Sequence, residues 1–149
     1  MNTQIDLKKL PLASARANLG AKLRGYWDLI KSLQTLLLLA TGLAGYLSAR
    51  PHTASPVEIL WMMLSLFAAV SGTTALNMVL DQDIDAQMER TAGRPLPSGV
   101  LSPVEGALFG GVLVTAGLGI ALWMAPTFAA VIAAGVVFDL LVYTVWLKR

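Results

Sequence analysis

The chain has 149 residues, of which 56% are hydrophobic and only 13% are charged. Soluble globular domains carry about 25% charged residues, so this composition excludes an ordinary soluble domain and a disordered chain and is typical of a membrane protein. The absence of cysteine and the single histidine exclude disulfide frameworks, thiol nucleophiles and Cys/His zinc sites, and a dispersed net charge of +2 predicts no nucleic-acid partner.

The segment before the first apolar run, residues 1–24, is amphipathic rather than apolar. Its basic residues are Lys8, Lys9, Arg16, Lys22 and Arg24. No small-residue cleavage site is evident, so the segment is not typical of a secretory signal. We expect a cytoplasmic N-terminal arm, and its composition fits either an interfacial helix or a disordered basic tail.

Four apolar runs are long enough to cross a bilayer, which takes about 20 residues per helix. The predicted spans cover about residues 26–49, 57–80, 106–125 and 127–147. Open strands of this length would leave unsatisfied backbone groups in lipid, so the sequence predicts an all-α, multi-pass transmembrane helical bundle. The spans are rich in Gly, Ala, Ser and Thr, and small residues let helices pack closely in lipid.

The basic residues predict how the chain lies in the membrane. All of the 11 Lys and Arg residues except Arg50 fall on one side of the predicted spans. The positive-inside rule makes that side cytoplasmic, so the N-terminus, the loop at 81–102 and the C-terminus are expected to face the cytoplasm. The expected location is the cell (inner) membrane.

Carboxylates are concentrated just after the second predicted span. If that span continues as a helix, Asn77, Asp81 and Asp85 lie four residues apart and share one face. Two stacked carboxylates repel each other unless a cation lies between them, and Mg²⁺ typically binds one or two carboxylates together with substrate phosphates. The spacing therefore predicts Asp81 and Asp85 as metal ligands with Asn77 beside them, whereas Asp83 is expected to face solvent or to cap the loop.

Two arginines follow these carboxylates, Arg90 and Arg94. Arginine forms bidentate hydrogen bonds to phosphate and stays charged, so carboxylates and guanidinium groups together indicate a diphosphate site at the cytoplasmic surface. The alternative is an ordinary charged loop in which these arginines pair with Asp85 and Glu89. The spacing alone favours neither interpretation.

The fourth predicted span contains one ionisable residue, Asp139. A charge inside a span costs about 2.5–3.5 kcal/mol on insertion scales and usually faces the bundle interior. Asp139 shares a helical face with Tyr143, and both a catalytic role and a buried hydrogen bond to Tyr143 or to a neighbouring helix fit this position. Lys148, at the cytoplasmic end, is by itself typical of a snorkelling anchor.

Two motifs are specific enough to compare with known families. The first is Asn77-x-x-x-Asp81-x-x-x-Asp85 with the following Arg90-Thr91-x-x-Arg94-Pro95. The second is Tyr143-Thr-Val-Trp-Leu-Lys148-Arg149. Together they resemble the intramembrane aromatic prenyltransferases of the UbiA superfamily, and the second motif is most similar to the protoheme IX farnesyltransferase branch. The resemblance covers about residues 25–149.

The resemblance implies Mg²⁺-dependent transfer of a prenyl group from a polyprenyl diphosphate to an acceptor. In the branch named, the donor is farnesyl diphosphate and the acceptor is a vinyl group of haem B. The implied catalytic residues are Asp81, Asp85 and Tyr143, with Tyr143 near the C–O bond that ionises. The implied diphosphate-binding residues are Asn77, Arg90, Arg94 and Lys148.

The resemblance also implies a larger fold of about nine transmembrane helices and a second Asp-rich motif. Helices satisfy their own backbone hydrogen-bonding groups in lipid. This sequence has four predicted spans and no second Asp-rich motif. We expect residues 25–149 to be the N-terminal half of such an enzyme, inactive without the missing C-terminal half or a second chain. Three alternatives stay open: transfer to a quinone precursor or lipid acceptor, a non-catalytic membrane scaffold subunit, and a small transporter.

Overall fold

A computed structural model describes residues 19–49 and 55–141 of the chain. The helices are α1 (Leu19–Leu29), α2 (Ser32–Ala49), α3 (Pro56–Leu80), α4 (Gln82–Asp85), α5 (Pro103–Met124) and α6 (Pro126–Val137). No strand occurs in these two ranges. The structure therefore confirms the predicted all-α class.

Helices α3 and α5 are each long and apolar enough to cross a membrane, and α1 with α2 could form a third, bent span. The fourth predicted span, 127–147, corresponds to α6, which is shorter than a full span. A wider π-helical turn at 138–141 extends α6, and the remainder of that predicted span lies outside the described residues. The structure thus describes two or three membrane-capable helices where the sequence predicts four.

The first predicted span, 26–49, differs most from the structure because it is broken in the middle. Helices α1 and α2 meet at a bend of 44°. Lys31 lies at this break with a backbone φ of 47°, a left-handed conformation that ends the α-helical hydrogen bonding. The hydroxyl of Thr35 donates to the carbonyl oxygen of Ile30 at 2.7 Å, which satisfies a carbonyl at the break.

Helix α1 begins at Leu19, within the segment 1–24 that the sequence predicts as an arm. Residues 1–18 of that segment lie outside the described residues.

Helices α3 and α5 begin where Ser-Pro pairs fall in the sequence. Ser55 accepts from the backbone N–H of Glu58, and Ser102 forms a reciprocal capping box with Glu105. Each cap is followed by a proline in the first turn, where a missing N–H costs nothing.

Helices α3 and α5 pack closely through glycines, as the small-residue composition predicts. A Cβ added at Gly72 would lie 2.6 Å from the carbonyl oxygen of Gly110, and one at Gly117 would lie 2.6 Å from the backbone nitrogen of Ala69. The buried Ser65 hydroxyl donates to the carbonyl oxygen of Gly117 at 2.8 Å. Other span glycines have no atom within 4 Å of an added Cβ, namely Gly45, Gly111, Gly119 and Gly135. Only some of the span glycines therefore form close helix contacts within the described residues.

The loop between α4 and α5 folds against α1 and α3. Leu96 and Leu101 are buried there with Leu29 and Met78. A Cβ added at Gly25 would lie 3.2 Å from the Leu101 side chain, so α1 passes close over the loop. This packing holds the loop in one place, and the loop carries the predicted arginines.

Candidate functional site

The predicted Asp-rich motif lies where α3 ends and α4 begins. The backbone N–H of Asp81 donates to the carbonyl oxygen of Asn77 at 2.9 Å, and that of Asp85 donates to Asp81 at 2.8 Å. Helical hydrogen bonding therefore continues across the junction, although Asp81 has φ −92° and ψ 0°. Asp81 is 6% exposed and Asp85 is 7% exposed. Two carboxylates are thus buried one helical turn apart.

A cavity of about 550 Å³ lies beside this junction, between α2, α3 and α6. Its polar lining residues are Lys31, Gln34, Thr73, Thr74, Asn77, Asp81 and Asp139. Its apolar lining residues include Leu38, Leu66, Val70, Val131, Ile132 and Val136. Along α3 the lining runs from Asp81 through Asn77 to Val70 and Leu66, about 22 Å at 1.5 Å per residue. The cavity is therefore polar at one end and apolar along its depth.

Asp139 reaches the polar end of this cavity from α6. The amide nitrogen of Asn77 donates to a carboxylate oxygen of Asp139 at 2.5 Å. This contact confirms one of the two interpretations of Asp139, a hydrogen bond to a neighbouring helix. It also brings a second carboxylate to the cavity that Asp81 lines.

Asp85 and Arg94 form an ion pair one helical turn beyond Asp81. The guanidinium of Arg94 donates to the Asp85 carboxylate at 2.6 Å. The buried hydroxyl of Thr91 donates to the backbone carbonyl of Asp85 at 2.8 Å, which ties the loop to α4. For this pair the structure agrees with the charged-loop interpretation, and it also holds a guanidinium next to the buried carboxylates.

Three other charged residues of α4 and the loop after it are exposed, namely Asp83, Glu89 and Arg90. The exposure of Asp83 is as predicted. Within 19–49 and 55–141, no ion pair joins Arg90 to Asp85 or Glu89. Neither Arg90 nor Arg94 lines the cavity, and of these two predicted diphosphate ligands only Arg94 pairs with a carboxylate of the motif in the part of the chain that the structure describes.

Two predicted site residues, Tyr143 and Lys148, lie outside the described residues, so their roles stay predictions.

The cavity also contains two residues, Lys31 and Gln34, that the sequence interpretation did not include in the site. Lys31 lies on the same predicted side of the membrane as Asp81, at the start of an apolar run. A basic residue at the start of an apolar run, on the side of the membrane where Asp81 lies, was the sequence signal that could have identified Lys31.

The donor set fits Mg²⁺ bound together with a phosphate-bearing substrate. Asp81, Asp85 and the side-chain amide of Asn77 offer oxygen ligands, which hard cations prefer. Among the residues that the structure describes, no group of three or more His, Cys, Asp or Glu is arranged to hold a metal ion. The described residues therefore supply part of a magnesium shell, and phosphate oxygens and water would have to complete it.

Comparison with known proteins gives consistent matches. A protein of Archaeoglobus fulgidus named protoheme IX farnesyltransferase is 42% identical over 128 residues, which cover 86% of this chain and 45% of that protein. Proteins of the same name from Korarchaeum cryptofilum and Acidiphilium cryptum are 42% and 40% identical, covering 86% and 88% of this chain. The chain thus spans less than half the length of these relatives, 45%, 43% and 41% respectively.

No solved structure matches the chain. The family pattern described as the UbiA prenyltransferase family matches residues 38–149, well over half of the sequence. That range contains α3, α4 and α5, the cavity lining from α3 and α6, and the Asp85–Arg94 pair. With its apolar membrane-capable helices, this membrane protein therefore belongs to the UbiA prenyltransferase family.

Proposed function

We propose that the chain supplies the diphosphate-binding part of a Mg²⁺-dependent prenyltransferase that transfers a farnesyl group from farnesyl diphosphate to haem B, giving haem O. The observation that carries the proposal is the cavity, polar at the end that contains Asp81 and Asn77 and apolar along its depth. A prenyl diphosphate has the same division between a charged head and an apolar tail. The names of the similar proteins from three organisms support the haem acceptor.

The residues at the polar end would act on the leaving diphosphate. Asp81 and Asp85 would hold Mg²⁺ with Asn77, and the bound ion would neutralise charge that develops on the diphosphate as the allylic C–O bond breaks. Arg94 lies against Asp85 and would bind diphosphate oxygens, and Lys31 adds a second cation at the same end. Fixed cations stabilise a developing anion without reorganisation.

The apolar depth of the cavity would protect the prenyl group. Leu38, Leu66 and Ile132 line it together with other aliphatic side chains. An allylic carbon that loses diphosphate reacts with water unless water is excluded, and an aliphatic wall excludes it. Tyr143, Lys148 and Arg90 keep the roles that the family resemblance implies, near the reacting C–O bond and on the diphosphate.

The proposal is tested by transfer activity in lipid. The chain is reconstituted together with a polypeptide that corresponds to the C-terminal part of its longer relatives, and with farnesyl diphosphate, haem B and Mg²⁺. Asp81→Ala and Asp85→Ala should each abolish Mg²⁺-dependent transfer, because each removes a buried ligand. Asp83→Ala is the matched control, since this carboxylate lies between the other two in sequence but is exposed, and it should retain activity. Full activity of the Asp81 and Asp85 variants would contradict the site.

The acceptor is tested in the same preparation. Haem B, a quinone precursor and a lipid acceptor are offered side by side with the same donor. Transfer to haem B alone supports the proposal, and preferential transfer to either other acceptor would reassign the substrate within the family. Absence of transfer to all three in the reconstituted assembly would favour a scaffold subunit.

A further inference from the structure

One partly buried polar contact at the cavity has no role in the function proposed above. The side-chain nitrogen of Asn77 on α3 donates to Asp139 on the π-helical turn that follows α6. The two residues are 62 positions apart in sequence, so the contact depends on how α6 packs against α3. Single π-helical turns inside helices are frequent at functional sites.

The chemistry of this hydrogen bond fixes the orientation of the Asn77 amide. A carboxylate only accepts hydrogen bonds, whereas an amide has a donor end and an acceptor end. Asp139 therefore selects the orientation in which the amide nitrogen faces α6 and the amide oxygen is turned away from Asp139. The opposite orientation would present an NH₂ group where a cation needs an oxygen.

A direct metal-binding role for Asp139 fits the structure less well. Within 19–49 and 55–141, the carboxylates do not form a group of three that could hold a metal ion. One oxygen of Asp139 is already the acceptor for Asn77. Residues that hydrogen-bond to a metal ligand commonly orient it and change metal affinity by about 10- to 100-fold.

We propose that Asp139 is a positioning residue, which orients the Asn77 amide so that its oxygen, and not its nitrogen, is presented to the cation and diphosphate at the Asp81 end of the cavity. The proposal rests on the metal–diphosphate site of the proposed function and adds to it a residue on α6. Asp139 acts through Asn77 and not on the cation itself.

The test is a double-mutant cycle read out by metal binding. The full chain is purified in detergent and titrated with Mn²⁺ in the presence of inorganic diphosphate, and free Mn²⁺ is followed by electron paramagnetic resonance. Asp139→Asn preserves size and can still hydrogen-bond to Asn77, but it accepts either amide orientation. We expect about 10-fold weaker Mn²⁺ binding for Asp139→Asn and at least as large a loss for Asn77→Ala.

The double variant decides between positioning and direct action. If Asp139 acts through Asn77, Asn77→Ala with Asp139→Asn should bind Mn²⁺ as Asn77→Ala does alone, because there is no amide left to orient. If the two losses multiply, Asp139 acts on the cation directly and the proposal is overturned. An unchanged affinity in Asp139→Asn would also overturn it.

Ser65→Ala is the matched control for a merely structural effect. It removes a different hydrogen bond between helices, a buried one to the carbonyl oxygen of Gly117, and Ser65 does not line the cavity. We expect Ser65→Ala to lower the thermal midpoint and to leave Mn²⁺ affinity unchanged. Asp139→Asn should instead lower Mn²⁺ affinity and leave the thermal midpoint unchanged. If Asp139→Asn does not fold, Asp139→Ser, which is too short to reach Asn77 in the same way, takes its place in the cycle.

The failure of this inference is distinguishable from failure of the proposed function. Wild-type chain that binds no Mn²⁺ with diphosphate, or binds it equally well after Asp81→Ala, would contradict the metal site and with it the role of Asp139. Binding that is lost in Asp81→Ala but unaffected by Asp139→Asn would overturn only the role of Asp139.

Discussion

Lys31 is the residue at which one predicted helix becomes two. Its φ of 47° lies in the left-handed region, where a side chain costs about 1–2 kcal/mol relative to ordinary helical backbone. Glycine commonly occupies this conformation just after a helix ends. Here the position carries a lysine that lines the cavity with Asp81 and Asn77. Strained backbone of this kind is often found at functional sites, so the conformation is consistent with a role for the ammonium group.

The strain at Lys31 can be measured by comparing two variants. Lys31→Gly and Lys31→Ala both remove the ammonium group, but only glycine adopts the left-handed conformation without steric cost. We expect the glycine variant to be more stable than the alanine variant by about 1 kcal/mol, measured by thermal unfolding in detergent. Equal stabilities would show that the backbone at this position is not strained.

The residues of the site differ in how far they were predictable. Asp81 and Asp85 follow from spacing along one helix, because helical geometry alone puts residues four apart on one face. The contact between Asn77 and Asp139 could not be predicted in this way, since it depends on the packing of two helices distant in sequence. The break at Lys31 could not be predicted either, because lysine is a good helix former and does not indicate the end of a helix.

At the scale of helices, the contact between α3 and α5 depends on glycines that bring the two backbones together. Lipid provides no hydrophobic driving force between helices, so close packing and buried hydrogen bonds have to stabilise the pair. Gly117 meets the backbone of Ser65 and Ala69, and Gly72 meets the backbone of Gly110. The small-residue composition predicted such contacts in general, but which glycines form them depends on the face each presents to a neighbour.

A matched pair of substitutions on α5 tests this packing. Gly117→Ala should destabilise the chain by about 1–3 kcal/mol, because the new methyl group would lie 2.6 Å from the Ala69 nitrogen and force the helices apart. Gly111→Ala meets no atom within 4 Å and should be neutral or stabilising by up to about 1 kcal/mol through helix propensity. Thermal unfolding in detergent measures both, and a similar loss in the two variants would contradict the close approach.

At the scale of the molecule, the two ends of the bundle differ in chemistry. One end carries Lys22, Lys31 and Arg94, and an ion pair of 2.6 Å joins Lys22 on α1 to Glu105 on α5. At the other end Trp61 and Trp123 meet edge to face, with ring centroids 5.6 Å apart. Basic residues on one side are the pattern from which orientation is predicted, and tryptophans are typical of both membrane interfaces.

The predicted orientation can be measured with single cysteines, since the chain has none of its own. Ser98→Cys introduces a thiol into the exposed part of the 81–102 loop, and Thr127→Cys introduces one at the exposed opposite end, where α6 begins. In intact cells a membrane-impermeant maleimide should label Thr127→Cys and should label Ser98→Cys only after permeabilisation. The reverse pattern would mean that the proposed diphosphate site faces away from the cytoplasm.

The ion pair between Arg94 and Asp85 has a thermodynamic consequence for the order of ligand binding. In the proposed function the same carboxylate is a ligand for Mg²⁺ and the same guanidinium is a ligand for diphosphate. Either ligand alone competes with the pair and draws one charge away from its partner, whereas the two together give both charges new partners. Metal and diphosphate should therefore bind synergistically, each raising the affinity for the other by the same factor. The chain without substrate would then bind free Mg²⁺ weakly and would assemble its metal centre only when a prenyl diphosphate binds.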